Sequence, residues 1–189
     1  VKECLKAGAK KVKVLDRSCN DPRKCYEITG IKAAAEKAGA EVILIENRPA
    51  FYKEVEFPDA KELKKWPVVK EALECDCIIN VPIAKHHGST KLSLSIKNLM
   101  GLMGGNRGQI HPKIDQNLAD FITVIKPRLH IIDAYRVLVR NGPTGGNPKD
   151  VVLAKKIIAG TDPVAVDSYA CTLDAFKLKG EDIGHIKAA

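Results

Sequence analysis

The sequence predicts an α/β protein, with a mostly parallel sheet flanked by helices in Rossmann-like layering but without a dinucleotide fingerprint. Three observations predict it. Short runs rich in valine and isoleucine at 10–16, 41–46, 77–84, 129–133 and 156–160 have the length and composition of strands. Helical patterns closed by glycine or proline separate several of them, and such alternation marks βαβ construction with right-handed crossovers. A segment dense in Lys, His and Gly, residues 85–107, directly follows the apolar run 77–84. Open α/β sheets bind ligands just beyond the carboxyl ends of their strands.

The elements follow in chain order. The opening Val1-Lys2-Glu3-Cys4-Leu5 has neither an initiator Met nor an apolar leader. It reads as the end of a helix entering a strand, so one or more further strands are expected upstream. Residues 10–16 alternate as a strand, and Asn20-Asp21-Pro22 marks a loop. Residues 31–38 are alanine-rich and helical, with Gly39 at the C′ position. Residues 41–46 form the next strand, parallel to the first. Residues 51–57 alternate as a short strand within a small excursion, 47–67. A helix over 68–74 feeds a buried strand at 77–84.

Beyond the basic segment, Leu118, Phe121, Ile122 and Ile125 share one face of a helix over 117–125. Pro127 ends it, and 129–133 is a strand. Asn141-Gly142-Pro143-Thr144-Gly145-Gly146 is a loop, and 156–160 a further strand. Asp162 then caps a helix with Pro163 in its first turn.

A chain of 189 residues, 45% hydrophobic and 29% charged, suits one soluble domain over 1–189. No apolar run approaches the ~20 residues that span a bilayer, so no membrane segment and a cytoplasmic location are expected. The net charge of +8 favours acidic partners. Aromatic residues make up only 5%, which disfavours a stacking platform for nucleic acid and leaves a small anion as the expected partner. The six cysteines, at 4, 19, 25, 75, 77 and 171, match no zinc or ferredoxin spacing. Reduced, mostly buried thiols are the ordinary reading. Cys19 and Cys25, flanking a loop, are the pair best placed to meet a metal or an oxidant.

The chemistry-bearing residues cluster. On a helix over 91–100, Leu92, Ile96, Leu99 and Met103 would pack inward, with Ser93 and Lys97 one turn apart on another face. Lys85, Lys97, Asn98 and the backbone at Gly101 could hold a carboxylate or phosphate, and Arg107 could add a bidentate grip. The bland alternative is solvated surface lysines. Adjacent residues of a strand face opposite ways, so at most one of His86 and His87 enters a given site. His87 and His111 are candidate proton carriers; structural hydrogen bonding is the alternative for each. Asp133 at a strand end and Asp167 in the last helix could orient a metal or a cationic group. Asn141, Gly142, Gly145 and Gly146 offer backbone N–H groups to an anion. The metal, if any, is unspecified, and neither a P-loop nor a G-x-G-x-x-G is present.

These motifs resemble a known family. Ile79-Asn80-Val81-Pro82-Ile83-Ala84-Lys85-His86-His87, Leu94-Ser95-Ile96-Lys97-Asn98-Leu99-Met100-Gly101, Pro127-Arg128-Leu129-His130-Ile131-Ile132-Asp133 and Gly160-Thr161-Asp162-Pro163-Val164-Ala165-Val166-Asp167 look like the hallmarks of the DUF362 domain family. The family has no established biochemical function. Its members are often described as iron–sulfur cluster-binding because many carry a fused ferredoxin module, which this sequence does not show. The resemblance implies an iron–sulfur cluster held in a partner module, or a ferredoxin-type redox partner docking on a non-catalytic accessory domain. A fainter similarity links His87 and Lys97, ten residues apart, to lactate racemase-like proteins that hold a nickel-pincer nucleotide. That similarity implies racemase- or isomerase-like chemistry on small hydroxy acids.

Overall fold

Alternation through Val12 and Val14, and the run Val42-Ile43-Leu44-Ile45, set two strands side by side before the chain reaches its basic segment. The computed structural model describes residues 1–189. Helix α1 (Lys2–Lys6) leads into β1 (Lys13–Asp16), and helices α2 (Pro22–Ile28) and α3 (Ile31–Lys37) return the chain to β2 (Glu41–Leu44). The strands pair in parallel, from Lys13 opposite Glu41 to Asp16 opposite Leu44. Helix α2 occupies part of the expected loop because Asp21 accepts the Arg23 and Lys24 N–H groups and Pro22 sits in the first turn. Gly39 closes α3 with φ +93°.

Strands β3 (Tyr52–Glu56) and β4 (Lys65–Val69) form an antiparallel hairpin that runs into helix α4 (Lys70–Glu74). The helix expected over 68–74 starts two residues late, since Val68 and Val69 are buried in the hairpin. The run 77–84 is not one buried strand. It divides into β5 (Ile79–Asn80) and β6 (Ile83–His87), because Pro82 cannot donate to a ladder. Asn80 and Ala84 point into the core while Ile79, Val81 and Ile83 remain exposed. Lys85, His86 and His87 are therefore strand residues and do not lie beyond the strand's end.

The helix expected over 91–100 is also corrected. Strand β7 (Lys91–Ser93) turns back antiparallel to β6, and only α5 (Ser95–Asn98) is α-helical before a 3₁₀ turn over Leu99–Leu102. Lys91-Leu92-Ser93-Leu94 has a period of two, and Lys91 takes φ +60° to close the hairpin. Ser93 pairs with Lys85 across that hairpin and is not stacked one turn from Lys97.

A 3₁₀ stretch (Arg107–Lys113) enters α6 (Ile114–Phe121). Strands β8 (Leu129–Leu138) and β9 (Val151–Gly160) follow, then α7 (Pro163–Cys171) and α8 (Gly184–Ala188). Strands β5 and β6 lie parallel along one edge of β8, β9 lies antiparallel along the other, and β7 borders β6. Three of the five strands of this sheet thus run in one direction.

Helices cover one face of the sheet. Ile132, Ala134 and Val137 pack there with Ile96, Leu118, Val166, Ala170 and Ile186. Each large side chain so buried contributes about 1.5–3 kcal/mol. The opposite face is uncovered, with Val81 60% and Ile157 68% exposed. A second core gathers Ile45, Phe57, Val68, Leu99, Met103 and Phe121 beneath the β3–β4 hairpin. Met100, one turn past α5, touches both cores. No helix is long and apolar enough to cross a membrane.

Candidate anion site

The site begins with how α5 is held. Its first N–H groups have no partner within the helix. The buried Asp167 carboxylate, reaching across from α7, accepts Ser95 N–H at 2.7 Å and Ile96 N–H at 2.9 Å. Burial raises the Asp167 carboxyl to about 7, against the lowering effect of those N–H donors. A buried amide grips the same helix from the sheet. Asn80 Nδ2 donates to the Ser95 carbonyl and lies 3.1 Å from His130 Nδ1, and Asn98 Nδ2 donates to Asn80 Oδ1 at 2.7 Å. Asn98 and Asp167 therefore act on the position of α5.

What α5 positions is Lys97. The residue is only 7% exposed. Its Nζ donates to Met100 Sδ at 3.2 Å, and none of the ion pairs in the molecule includes it. Burial lowers the ammonium to about 8; a Cys19 thiolate and the Asp115 carboxylate favour its charge, and Lys85 and Arg107 oppose it. A buried cation whose recorded polar contact is a thioether sulfur is costly to keep charged.

The histidines separate by tautomer. His87 Nδ1 accepts from Ser89 N–H at 3.2 Å and Thr90 N–H at 3.3 Å, so the neutral ring carries its proton on Nε2. Burial, then the charges of Lys97, His111, Lys85 and His86, lower His87 to about 4. His87 is thus a neutral donor at pH 7. His86 Nδ1 accepts Gly142 N–H at 3.1 Å. His111, on the exposed 3₁₀ stretch, lies with Nδ1 3.0 Å from the Arg107 carbonyl and so donates to it. In its neutral form His111 keeps a lone pair on Nε2.

Arg107 spends its guanidinium on backbone. Nη1 donates to the carbonyls of Arg17 (2.9 Å) and Met100 (3.2 Å), and Nη2 to the Ser18 carbonyl at 3.3 Å. It pins the loop after β1 against the glycine segment and has no fork left open for a bidentate grip. Gly101 serves the same contact, because a Cβ there would lie 1.8 Å from Asp16 Oδ1. Asp16 and Cys19 are the residues that sequence reasoning missed for this cluster. Desolvation raises the Asp16 carboxyl, while Arg107 and Lys85 lower it. The signal for Asp16 was present, an aspartate at the carboxyl end of a strand.

Other expected residues lie elsewhere. Strand β8 continues five residues past Asp133, which pairs with Ile83 and accepts Tyr135 N–H, so Asp133 is mid-strand and not at a strand end. The loop 141–146 does reach the β6–β7 turn, where Gly142 carbonyl accepts Gly88 N–H at 3.1 Å. Three of its donors are used: Asn141 Nδ2 binds Asp150, Gly142 N–H binds His86, and Gly145 N–H binds the Asn141 carbonyl. Gly146, at φ +115°, completes the loop. No group of three or more His, Cys, Asp or Glu side chains is arranged to hold a metal ion.

The arrangement sets Lys85, His87 and Lys97 in one electrostatic neighbourhood with Cys19, Arg107 and His111. Comparison with known proteins places the chain in a family. Over 117 residues it is 30% identical to the thylakoid-associated protein sll1697 of Synechocystis, a match covering 58% of this chain and 36% of that relative. The chain therefore spans little more than a third of the curated relative's length. No solved structure matches it. A family model described as a domain of unknown function, DUF362, matches residues 1–172, and the chain belongs to that family.

Proposed function

We propose that this domain binds a small carboxylate or phosphate at the end of β6, with the Lys97 ammonium at the centre of the site. One observation carries the reading: Lys97 is buried, makes no ion pair, and is surrounded by the further cations Lys85 and Arg107. An anion seated there would join the Asp16 and Asp115 carboxylates in offsetting the three positive charges. His87 would add an Nε2–H donor, and Asn98 Oδ1 would accept from a hydroxyl of the ligand. His111 would accept a proton from a bound substrate if the site is catalytic. The test is thermal denaturation across a panel of inorganic phosphate, sulfate, lactate and acetate at constant ionic strength. Selective stabilisation by one anion, lost in Lys97→Met, supports the reading. Equal responses to all anions, or an unchanged response in the variant, count against it.

A second reading has its own observation. The uncovered sheet face, with Val81, Ile83, Leu153 and Ile157 exposed, suits an accessory domain that docks on a redox partner such as a ferredoxin-type module. The similar protein named as thylakoid-associated is consistent with a role in a larger assembly. Co-sedimentation with an acidic ferredoxin at low salt, and its loss at high salt, tests this reading. No binding at low salt would overturn it.

A further inference from the structure

Strand β9 forms one border of the five-stranded sheet and pairs with β8 alone. The opposite border, β7, is three residues long, whereas β9 runs for ten. Alternate residues of an antiparallel edge strand turn N–H and C=O away from the sheet. Outside the ladder with β8, residues 151–160 make no backbone–backbone hydrogen bond, so those outward groups are unpaired. Lys155, at φ +53°, forms a bulge, and beyond it Lys156–Gly160 pair with Ala134–His130 in unbroken register. Helix α7 closes on the end of this stretch, where a Cβ at Gly160 would lie 2.7 Å from Val166 Cγ1. A groove of about 520 Å³ lies between them, lined by Ile157–Gly160 of β9 and by Ala165, Val166 and Tyr169 of α7. Ile157 is 68% and Tyr169 61% exposed. Lys155 and Lys156 are exposed, and neither makes an ion pair. Asp162, the acid of the groove, is committed to the Val164 and Ala165 N–H groups.

We propose that β9 accepts an added strand from a partner polypeptide, an extended segment with apolar side chains at alternate positions and acidic ones between them. The backbone of that segment would continue the ladder along Lys156–Gly160. Every second side chain would enter the groove beside α7, and carboxylates would meet Lys155 and Lys156. Charge complementarity selects this occupant. Lysines on an edge strand bar pairing with other basic strands. A second copy of β9, laid antiparallel about the strand's centre, would set Lys155 opposite Lys156 twice over, and like charges directly opposite are destabilising. An acidic strand turns the same two residues into cross-strand ion pairs. The inference goes beyond both readings of function: it does not involve Lys97, and it places the contact on backbone groups at the sheet's edge and not on its open face.

The probe is an end-blocked peptide that alternates valine and glutamate, added to the full chain at low ionic strength. Fluorescence anisotropy measures its binding, and amide hydrogen exchange locates it. The expected result is saturable binding that slows exchange at the N–H groups of 156–160 facing away from β8. A valine–lysine peptide of the same pattern does not bind. Nor does the valine–glutamate peptide N-methylated throughout, although its side chains are unchanged. Lys155→Glu combined with Lys156→Glu weakens the acidic peptide about tenfold and admits the basic one. Tyr169→Asp, at an exposed position of α7, weakens the acidic peptide as well, whereas Lys97→Met binds it as the wild type does. Equal binding of the acidic and basic peptides, undiminished binding of the N-methylated peptide, or protection that falls outside β9 and α7 overturns the inference. So does a wild-type protein that binds neither peptide. A protein that sediments as a dimer with the β9 edge already protected also overturns it, and makes a second copy the occupant. None of these failures touches the anion site, which phosphate binding tests separately.

Discussion

Asp167 holds the N–H of Ser95 at 2.7 Å, and by doing so a residue in the last long helix fixes the four-residue helix that carries Lys97. The contact spans 72 residues of sequence and is fully buried. Asp162 caps α7 as its place before Pro163 predicts, while Asp167, a candidate metal-orienting carboxylate in the sequence, caps α5.

Replacing Asp167 by Ala leaves two buried N–H groups without acceptors. Such groups cost about 1–3 kcal/mol each. Urea denaturation should show Asp167→Ala less stable by about 2–6 kcal/mol, and anion affinity should fall with it because Lys97 loses its anchor. Wild-type stability in this variant would remove Asp167 from the positioning role.

Gly101 lies where Asp16 needs room. Gly101→Ala should push the β1 loop away from α5, cost about 1–3 kcal/mol as overpacking does, and weaken the Arg107 contact to Cys19. Thermal melts measure the first effect. The rate of Cys19 alkylation by neutral iodoacetamide measures the second, and an unaltered rate would show that the loop's position does not matter to the thiol.

The pH dependence of Lys97 has a definite sign. Its folded value, about 8, lies below the ordinary 10.5. Between those values the unfolded chain binds more protons than the folded one, so this group adds stability as pH rises from about 8 towards 10.5. Wild type should gain on the order of 2 kcal/mol relative to Lys97→Met over that window, read from urea midpoints at several pH values. Anion affinity should fall over the same range as the ammonium is lost. A constant difference between the two proteins across the window would contradict a buried, unpaired Lys97.

The fold was legible where local chemistry is self-contained. The β1–α3–β2 unit, the Gly39 stop and the Asp162–Pro163 helix start all follow from residues within a few positions of each other. The misread elements depend on distant partners. Asp133 looked like a strand end because the apolar run stops there, but β9 pairs with β8 through Leu138 and carries the strand onward. Residues 91–94 fit a helical face as well as a period of two, and only the β6 pairing decides between them. In the site, Lys97 and His87 were visible as types and spacing. The involvement of Asp16 and Cys19 was hidden because the contacts of Arg107 with Arg17, Ser18 and Cys19 cross about ninety residues of sequence. Arg107 itself was legible as a charge but not as a clamp, since its carbonyl partners carry no sequence signature.

The most direct test of the account is a calorimetric titration of inorganic phosphate into the wild-type protein and Lys97→Met at pH 7 and low ionic strength. The account predicts one saturable site in the wild type, weakened at least about tenfold in the variant, as loss of a buried charge-assisted contact entails. It also predicts that the unliganded variant is no less stable than the wild type, since it no longer buries an unpaired cation. Phosphate binding of equal strength in both proteins, or in neither, would contradict it.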